Sequence, residues 1–259
     1  MKIESLTLNH LRMPLVAPFE TSFGREIDRE CVIITLRAEG LTGYGECVAT
    51  HDPGYNYETT GTALHIIKDF IAPLILGQDL KDAGDFQYRV SGIRGHQLAK
   101  AGVEMAIWDL LGKRSGKSLR ELLGGKRDRV AVGVSVGLQE SPEVLVKTVS
   151  QYVDAGYARV KIKIKPGRDV GDTSAVRKAF PNLRLQVDAN SAFTLESAQS
   201  LKPLAARVNE EMPVGRRSCT VAPGINGVEL SPLAPRFHDE RPEVHVGTEN
   251  IGAPGQDQA

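Results

Sequence analysis

The chain has 259 residues, 41% hydrophobic and 25% charged, close to the globular average and enough for one large or two ordinary domains. Lys plus Arg and Asp plus Glu each number 32, and a formal net charge of zero gives no electrostatic case for nucleic acid or an anionic membrane as partner. No apolar run reaches the roughly 18 residues of a membrane span. The N-terminal segment alternates polar and apolar residues like a strand and lacks the apolar core of a signal peptide. Cys31, Cys47 and Cys219 show no CxxC spacing, which predicts small buried hydrophobes in a reducing cytoplasm rather than a disulfide framework.

Residues 1–125 read as an α+β domain. Ile3, Leu6, Leu8 and Leu11 belong to a first extended segment. Pro14 and Pro18 frame a loop over 15–24 that holds Phe19, Thr21, Ser22 and Phe23. Residues 31–36 and 43–49 read as two further strands paired through a Glu39-Gly40 turn. Helical periodicity follows over 62–76, through Leu64, Ile67, Ile71 and Leu74, and over 98–111, through Val103, Ala106, Ile107 and Leu110. The single tryptophan, Trp108, lies in the second of these and reads as core. A short helix over 119–123 stops at Gly124-Gly125.

Residues 126–206 change character. A strand over 130–136 precedes a helix with Ser141 as N-cap and Pro142 in its first turn, closed by Gly156. A second strand, 159–164, leads to a helix over 170–180 and a Pro181-Asn182 turn. A third strand, 183–187, leads to a helix over 194–206 capped by Thr194. Three βα units in series predict a parallel sheet with right-handed crossovers.

The second and third strands end in polar residues. Side chains alternate across a strand, so Lys161 and Lys163 share one face, while Val160, Ile162 and Ile164 take the other. The third strand runs into Asp188-Ala189-Asn190. In a parallel α/β barrel the strand ends and following loops form the active-site face. A lysine and an aspartate delivered there point to a base beside a metal ligand. The plainer alternatives are a solvated edge strand with lysines set against aggregation, and a simple turn or helix cap at Asp188.

Residues 207–259 do not continue the pattern. Pro213, Pro223, Pro232, Pro235, Pro242 and Pro254 interrupt every window, and no lysine follows Lys202. The stretch reads as irregular or disordered polypeptide. Its composition is that expected of out-of-frame translation of a GC-rich gene past codon 206, which the other two reading frames of the DNA would test.

Several stretches carry a family resemblance over residues 1–206. They are Met13-Pro14-Leu15-Val16-Ala17-Pro18-Phe19 with Thr21-Ser22-Phe23-Gly24, Gly45-Glu46-Cys47, Gly95-His96-Gln97-Leu98-Ala99-Lys100, Gly133-Val134-Ser135-Val136-Gly137, Gly156-Tyr157, and Gln186-Val187-Asp188-Ala189-Asn190. In these the chain resembles the enolase superfamily, its muconate-lactonizing subgroup, and most closely the o-succinylbenzoate synthases and N-succinylamino acid (N-acylamino acid) racemases. The resemblance implies an α/β fold: an α+β N-terminal capping domain, then an incomplete (β/α)8 barrel and an irregular tail. It also implies removal of a proton α to a carboxylate of a small-molecule substrate, with Mg2+ neutralising the enediolate. Lys163 would be the base and Lys161 its electrostatic partner, Asp188 the first metal ligand, and Asn190 a neighbour of the site. Thr21, Ser22, Phe23 and Gly24 would belong to the flexible loop that closes over substrate and excludes water. The pairing of such a base with Mg2+ is known for the superfamily and comes from the resemblance, not from the spacing. Family members are often homo-oligomeric.

The chain also departs from the family. A whole barrel needs about 250 residues, more than follow Gly125. The later Glu-Gln-Pro and Asp-Glu-Ser contexts of the next two metal ligands are missing, as is the second catalytic lysine. Glu210, Glu211 and Asp239 echo the missing ligands only loosely. The expectations are therefore a synthase carrying out the dehydration of menaquinone biosynthesis, an N-acylamino acid racemase, or a non-catalytic remnant, with little activity and weak or absent Mg2+ binding in this chain alone.

Overall fold

The computed structural model describes residues 1–209 and 248–252. It divides into two compact units. Among the described residues, the first comprises 1–14, 28–128 and 248–252, and the second comprises 15–27 and 129–209.

The first unit is a sheet covered by helices. Strands β1 (Ile3–Glu20), β2 (Arg25–Ala38) and β3 (Leu41–Cys47) run in the order β3-β2-β1. The two-residue turn between β2 and β3 is the expected one. Glu39 and Gly40 both take positive φ, at 51° and 76°, which matches the right-handed twist of a hairpin. Leu6, Leu8, Val32, Ile34 and Leu36 are buried on one face of the sheet. Against that core lie α1 (Thr60–Ile66), a π-helical turn (Ile67–Ile71), α2 (Ala72–Ile75), α3 (Ala83–Arg89), α4 (Gln97–Ser115) and α5 (Leu119–Leu122). Helix α4 sits directly on β3 because glycines remove the side chains between them. A Cβ on Gly45 would fall 2.0 Å from the Gly102 carbonyl oxygen, and one on Gly43 would fall 2.3 Å from that of Ala106.

Several expectations need correction here. The single helix over 62–76 is broken by the π-helical turn just before Pro73, whose missing N–H and bulky ring disturb a regular ladder. Helix α3 has only seven residues, too short to show a period, and Asp82 caps it by accepting from the Asp85 amide at 2.8 Å. The loop over 15–24 is mostly strand. β1 continues to Glu20 through Pro14 and Pro18, which a strand tolerates where no ladder bond is asked of their nitrogen. Within the tail, Thr248–Gly252 forms a strand, β7, antiparallel to β1 with Leu6 opposite Ile251. The free edge of β1 supplies that ladder, so the pairing needs no alternation in the segment itself. Residues 210–247 and 253–259 lie outside the described residues, and with them Glu210, Glu211, Cys219 and Asp239. Cys31 and Cys47 are free and buried, and burial pushes the Cys47 thiol up to about 11. Among the described residues no helix is long and apolar enough to cross a membrane.

The second unit is the parallel sheet that the βα alternation predicts. β4 (Gly133–Val136), β5 (Arg159–Lys163) and β6 (Arg184–Asp188) pair in the order β4-β5-β6, all parallel. Helices α6 (Pro142–Asp154), α7 (Asp169–Ala179) and α8 (Lys202–Asn209) share its core. Val160 and Ile162 from β5, with Ile164 just past its end, meet Leu145 and Val149 of α6, Val176 of α7 and Leu204 of α8. The helix expected over 194–206 is a 3-10 segment, Glu196–Leu201, followed by α8. Pro203 falls in the first turn of α8, where a helix can do without its N–H. Residues Leu15–Ile27, the distal half of the β1–β2 hairpin, belong to this unit.

Candidate active site

The helix-free face of the parallel sheet carries the polar residues. In register, Lys161 lies beside Gln186 and Lys163 beside Asp188. Both lysines reach the same carboxylate oxygen. Lys161 Nζ is 3.0 Å and Lys163 Nζ 2.9 Å from Asp188 Oδ2. Lys163 is 7% exposed, unusual for a lysine, and such burial is tolerated only with partners. Its ammonium also donates to Asn190 Oδ1. The other oxygen of Asp188, Oδ1, accepts from the Asn190 amide at 3.0 Å.

Asp188 is consequently a strong acid. Burial pushes its carboxyl up, but the hydrogen bonds from Lys163 and Lys161 and from the Asn190 amide outweigh that and hold it at about 2.

The turn after β6 is bent to make this possible. Asn190 and Ser191 both take left-handed backbone, with φ of 47° and 63°. Asparagine adopts that region readily, whereas serine does so rarely, and strain of this kind gathers where geometry is functional. The Ala189 carbonyl closes the turn by accepting from the Ala192 amide at 3.0 Å.

Of the expected loop residues, Ser22 touches this turn: its hydroxyl donates to the Ala189 carbonyl at 2.7 Å. Thr21 and Gly24 close the hairpin tip on themselves, Thr21 N to Gly24 O at 2.9 Å, and Phe23 is 47% exposed. Lys161, Lys163, Asp188 and Asn190 thus form one cluster, and Ser22 is tied to its rim. The sequence reading missed Lys165, third in the alternating lysine series, which lies 3.6 Å from Glu20. It also missed Gly137, where an added Cβ would lie 3.1 Å from the Glu20 backbone.

The described residues do not by themselves make a Mg2+ site. That ion wants near-octahedral oxygen coordination. Asp188 offers one carboxylate, already paired with two ammoniums, and no group of three or more His, Cys, Asp or Glu converges among the described residues.

The comparison with known families decides the relationship. The mandelate racemase/muconate lactonizing enzyme N-terminal domain matches residues 3–124, and the enolase C-terminal domain-like family matches residues 144–211. The chain belongs to the enolase superfamily. It is 42% identical to an o-succinylbenzoate synthase of Listeria innocua over 205 residues, 79% of this chain and 55% of that protein. It is also 42% identical to an N-succinylamino acid racemase of Thermus thermophilus over 204 residues, again 79% and 55%. A crystal structure of an enolase-superfamily member from Listeria innocua superimposes with a TM-score of 0.75 at 42% identity, covering 80% of this chain and 56% of that one. The chain thus spans a little over half the length of the relatives it matches. Superfamily members generally use Mg2+ and act on small carboxylate substrates.

Proposed function

We propose that this chain carries the proton-abstracting half of an o-succinylbenzoate synthase-like site. The observation that carries the reading is the convergence of Lys161 and Lys163 on one oxygen of Asp188 at the ends of adjacent parallel strands. A base must meet its substrate without its proton. With Lys161 neutralising Asp188, the cluster stays electrically balanced when Lys163 is the unprotonated member. Lys163 Nζ then takes the proton α to the substrate carboxylate. Asn190 aims the amine by hydrogen bonding, and Lys161 keeps a positive charge beside the carbanion that forms. In the synthase reading, the Lys163 ammonium returns that proton to the β-hydroxyl, which leaves as water and completes a dehydration, the step of menaquinone biosynthesis that the family resemblance implies.

An N-succinylamino acid racemase is the second reading, supported by the equal identity to the Thermus thermophilus enzyme. Racemisation needs a second base on the opposite face of the substrate, and no described residue is assigned that role. In both readings the 259-residue chain alone turns over feebly or not at all, and its Mg2+ dissociation constant is weaker than about 1 mM. Asp188 is the metal ligand of this reading. A tighter constant lost in Asp188→Ala would make Glu210, Glu211 and Asp239 the suspects for its partners.

The test uses a chimaera in which the remaining barrel of the Listeria innocua synthase follows residue 206. Exchange of the α-proton of a succinylated amino acid into D2O is followed by NMR, beside formation of o-succinylbenzoate. Lys163→Ala should lower exchange by about 10²–10⁴-fold. Lys161→Arg keeps the charge and should retain part of it. Equal tolerance of the two changes would sink the assignment of Lys163.

A further inference from the structure

The tip of the β1–β2 hairpin touches the chain just beyond the end of every strand of the parallel sheet. Past β4, the Leu138 amide donates to the Glu20 carbonyl at 2.9 Å. Past β5, Lys165 Nζ lies 3.6 Å from the Glu20 carboxylate. Past β6, the Ala189 carbonyl accepts from the Ser22 hydroxyl at 2.7 Å. Two of the three contacts use the main chain of the sheet unit. At the first of them the hairpin backbone comes so close that any side chain would be crowded. A Cβ on Gly137 would lie 3.1 Å from both the nitrogen and the oxygen of Glu20 and 3.4 Å from the Phe19 ring. Gly137 is not among the glycines with positive φ, so it is space, not backbone conformation, that the position requires.

We infer that Gly137 is the positioning residue that sets how closely the hairpin tip, lying as a strap across the three strand ends, docks there and so how freely Lys163 is reached. The inference rests on Lys163 lying in the site proposed above, but the docking itself does not depend on any activity. The obstacle at Gly137 is backbone, which cannot swing aside as a side chain would. An added methyl must therefore lift the strap by a few tenths of an ångström. That stretches the bond from Leu138 N–H to Glu20 and slackens the one from Ser22 to Ala189. Larger side chains at 137 should lift it further. Ser22→Ala removes the far anchor alone and leaves the near one.

The experiment is hydrogen exchange on the full 259-residue chain, paired with timed acetylation of lysines by a small amine reagent, mapped by mass spectrometry. In Gly137→Ala the Leu138 amide should exchange roughly threefold to tenfold faster, the loss expected for one main-chain hydrogen bond, and more so in Gly137→Val. Lys163 should be acetylated faster in the same order, with Lys147 on α6 as the unchanged reference. Ser22→Ala should speed Lys163 acetylation while Leu138 keeps most of its protection. The ladder amides of β5 should stay as in the parent. Unchanged Leu138 exchange in Gly137→Val would overturn the inference. So would faster exchange spread evenly over β4, β5 and β6, which would mean that Gly137 merely holds the sheet. A chain that never abstracts a proton would still give the expected pattern, so failure of the strap and failure of the proposed chemistry are told apart.

Discussion

The two units solve the placing of backbone next to backbone in opposite ways. In the first, α4 is pressed onto β3 by glycines on both sides, and a large apolar core closes around them. In the second, a smaller core holds three parallel strands, and the helix-free face carries an ion cluster about Asp188. The first unit is built for stability, since its close contacts have no polar role. The second spends its close contacts on a site. Burying Lys163 against Asp188 costs desolvation that a pair of apolar residues would not incur. Substitutions should therefore hurt the two units in different ways.

The largest effect belongs to the first unit. Gly45→Ala puts a methyl 2.0 Å from the Gly102 carbonyl oxygen, with backbone on both sides and nowhere to yield. We expect a loss of about 3 kcal/mol or more, at the upper end for overpacking. The chain's single tryptophan, Trp108, lies on α4, so its fluorescence during urea unfolding reports this unit. A loss under about 1 kcal/mol would mean that α4 can ride up on the sheet, and the contrast between the units would fail.

Next comes Glu58, 1% exposed, whose two carboxylate oxygens accept the Leu98 and Ala99 amides at the start of α4 at 3.0 and 3.1 Å. Glu58→Gln keeps the shape but leaves an amide NH2 facing an N–H. It should cost about 1–3 kcal/mol by the same fluorescence, the range for an unsatisfied buried group. A neutral outcome would show that the helix start finds another acceptor.

How much of this could be read from sequence follows from the range of each interaction. The βα units and the lysine–aspartate pair were legible because side-chain alternation acts over two residues and βα spacing over about thirty. Lys161, Lys163 and Asp188 needed only those two rules to come together. Glu58 was not legible as a cap, because its partners lie 40 residues away. Nor was the strap, since Ser22 and Ala189 are 167 residues apart and one partner is a main-chain carbonyl, which no side chain signals. Pro14 and Pro18 misled in the usual way: proline marks loops often enough that its tolerance in a long hairpin strand leaves no local sign. The strand at Thr248–Gly252 owes its pairing to the edge of β1, so its own sequence had little to show.

A third prediction sharpens the comparison through pH. Asp188 sits at about 2 against an ordinary 3.8, so its ion pairs stabilise the second unit fully above pH about 4. That contribution is lost as pH falls through about 2. Carboxyl NMR of the parent should show this titration. Lys163→Met removes one of the three hydrogen bonds to the carboxylate and should raise the Asp188 value towards 3.8, moving the loss to higher pH. Trp108, in the other unit, should show no matching change in that window. An Asp188 value unmoved by Lys163→Met would leave Lys161 as the sole partner that matters.

The smallest effect should come from Lys165→Met. Its ammonium is 3.6 Å from Glu20, and the two side chains are 42% and 39% exposed. Exposed pairs of this kind contribute about 0–1 kcal/mol, because water competes for both charges and two long side chains must be held still. The strap has better anchors in the Leu138 amide and the Ala189 carbonyl, neither of which Lys165 touches. Stability should thus shift by less than about 0.5 kcal/mol, and raising salt should mimic the substitution. Exchange at Leu138 should stay near the parent value, in contrast to Gly137→Val. If Lys165→Met instead frees Leu138 as fully as a side chain at 137 does, then charge and not close approach holds the strap. The second unit would then depend on side-chain electrostatics at its rim as well as at its centre.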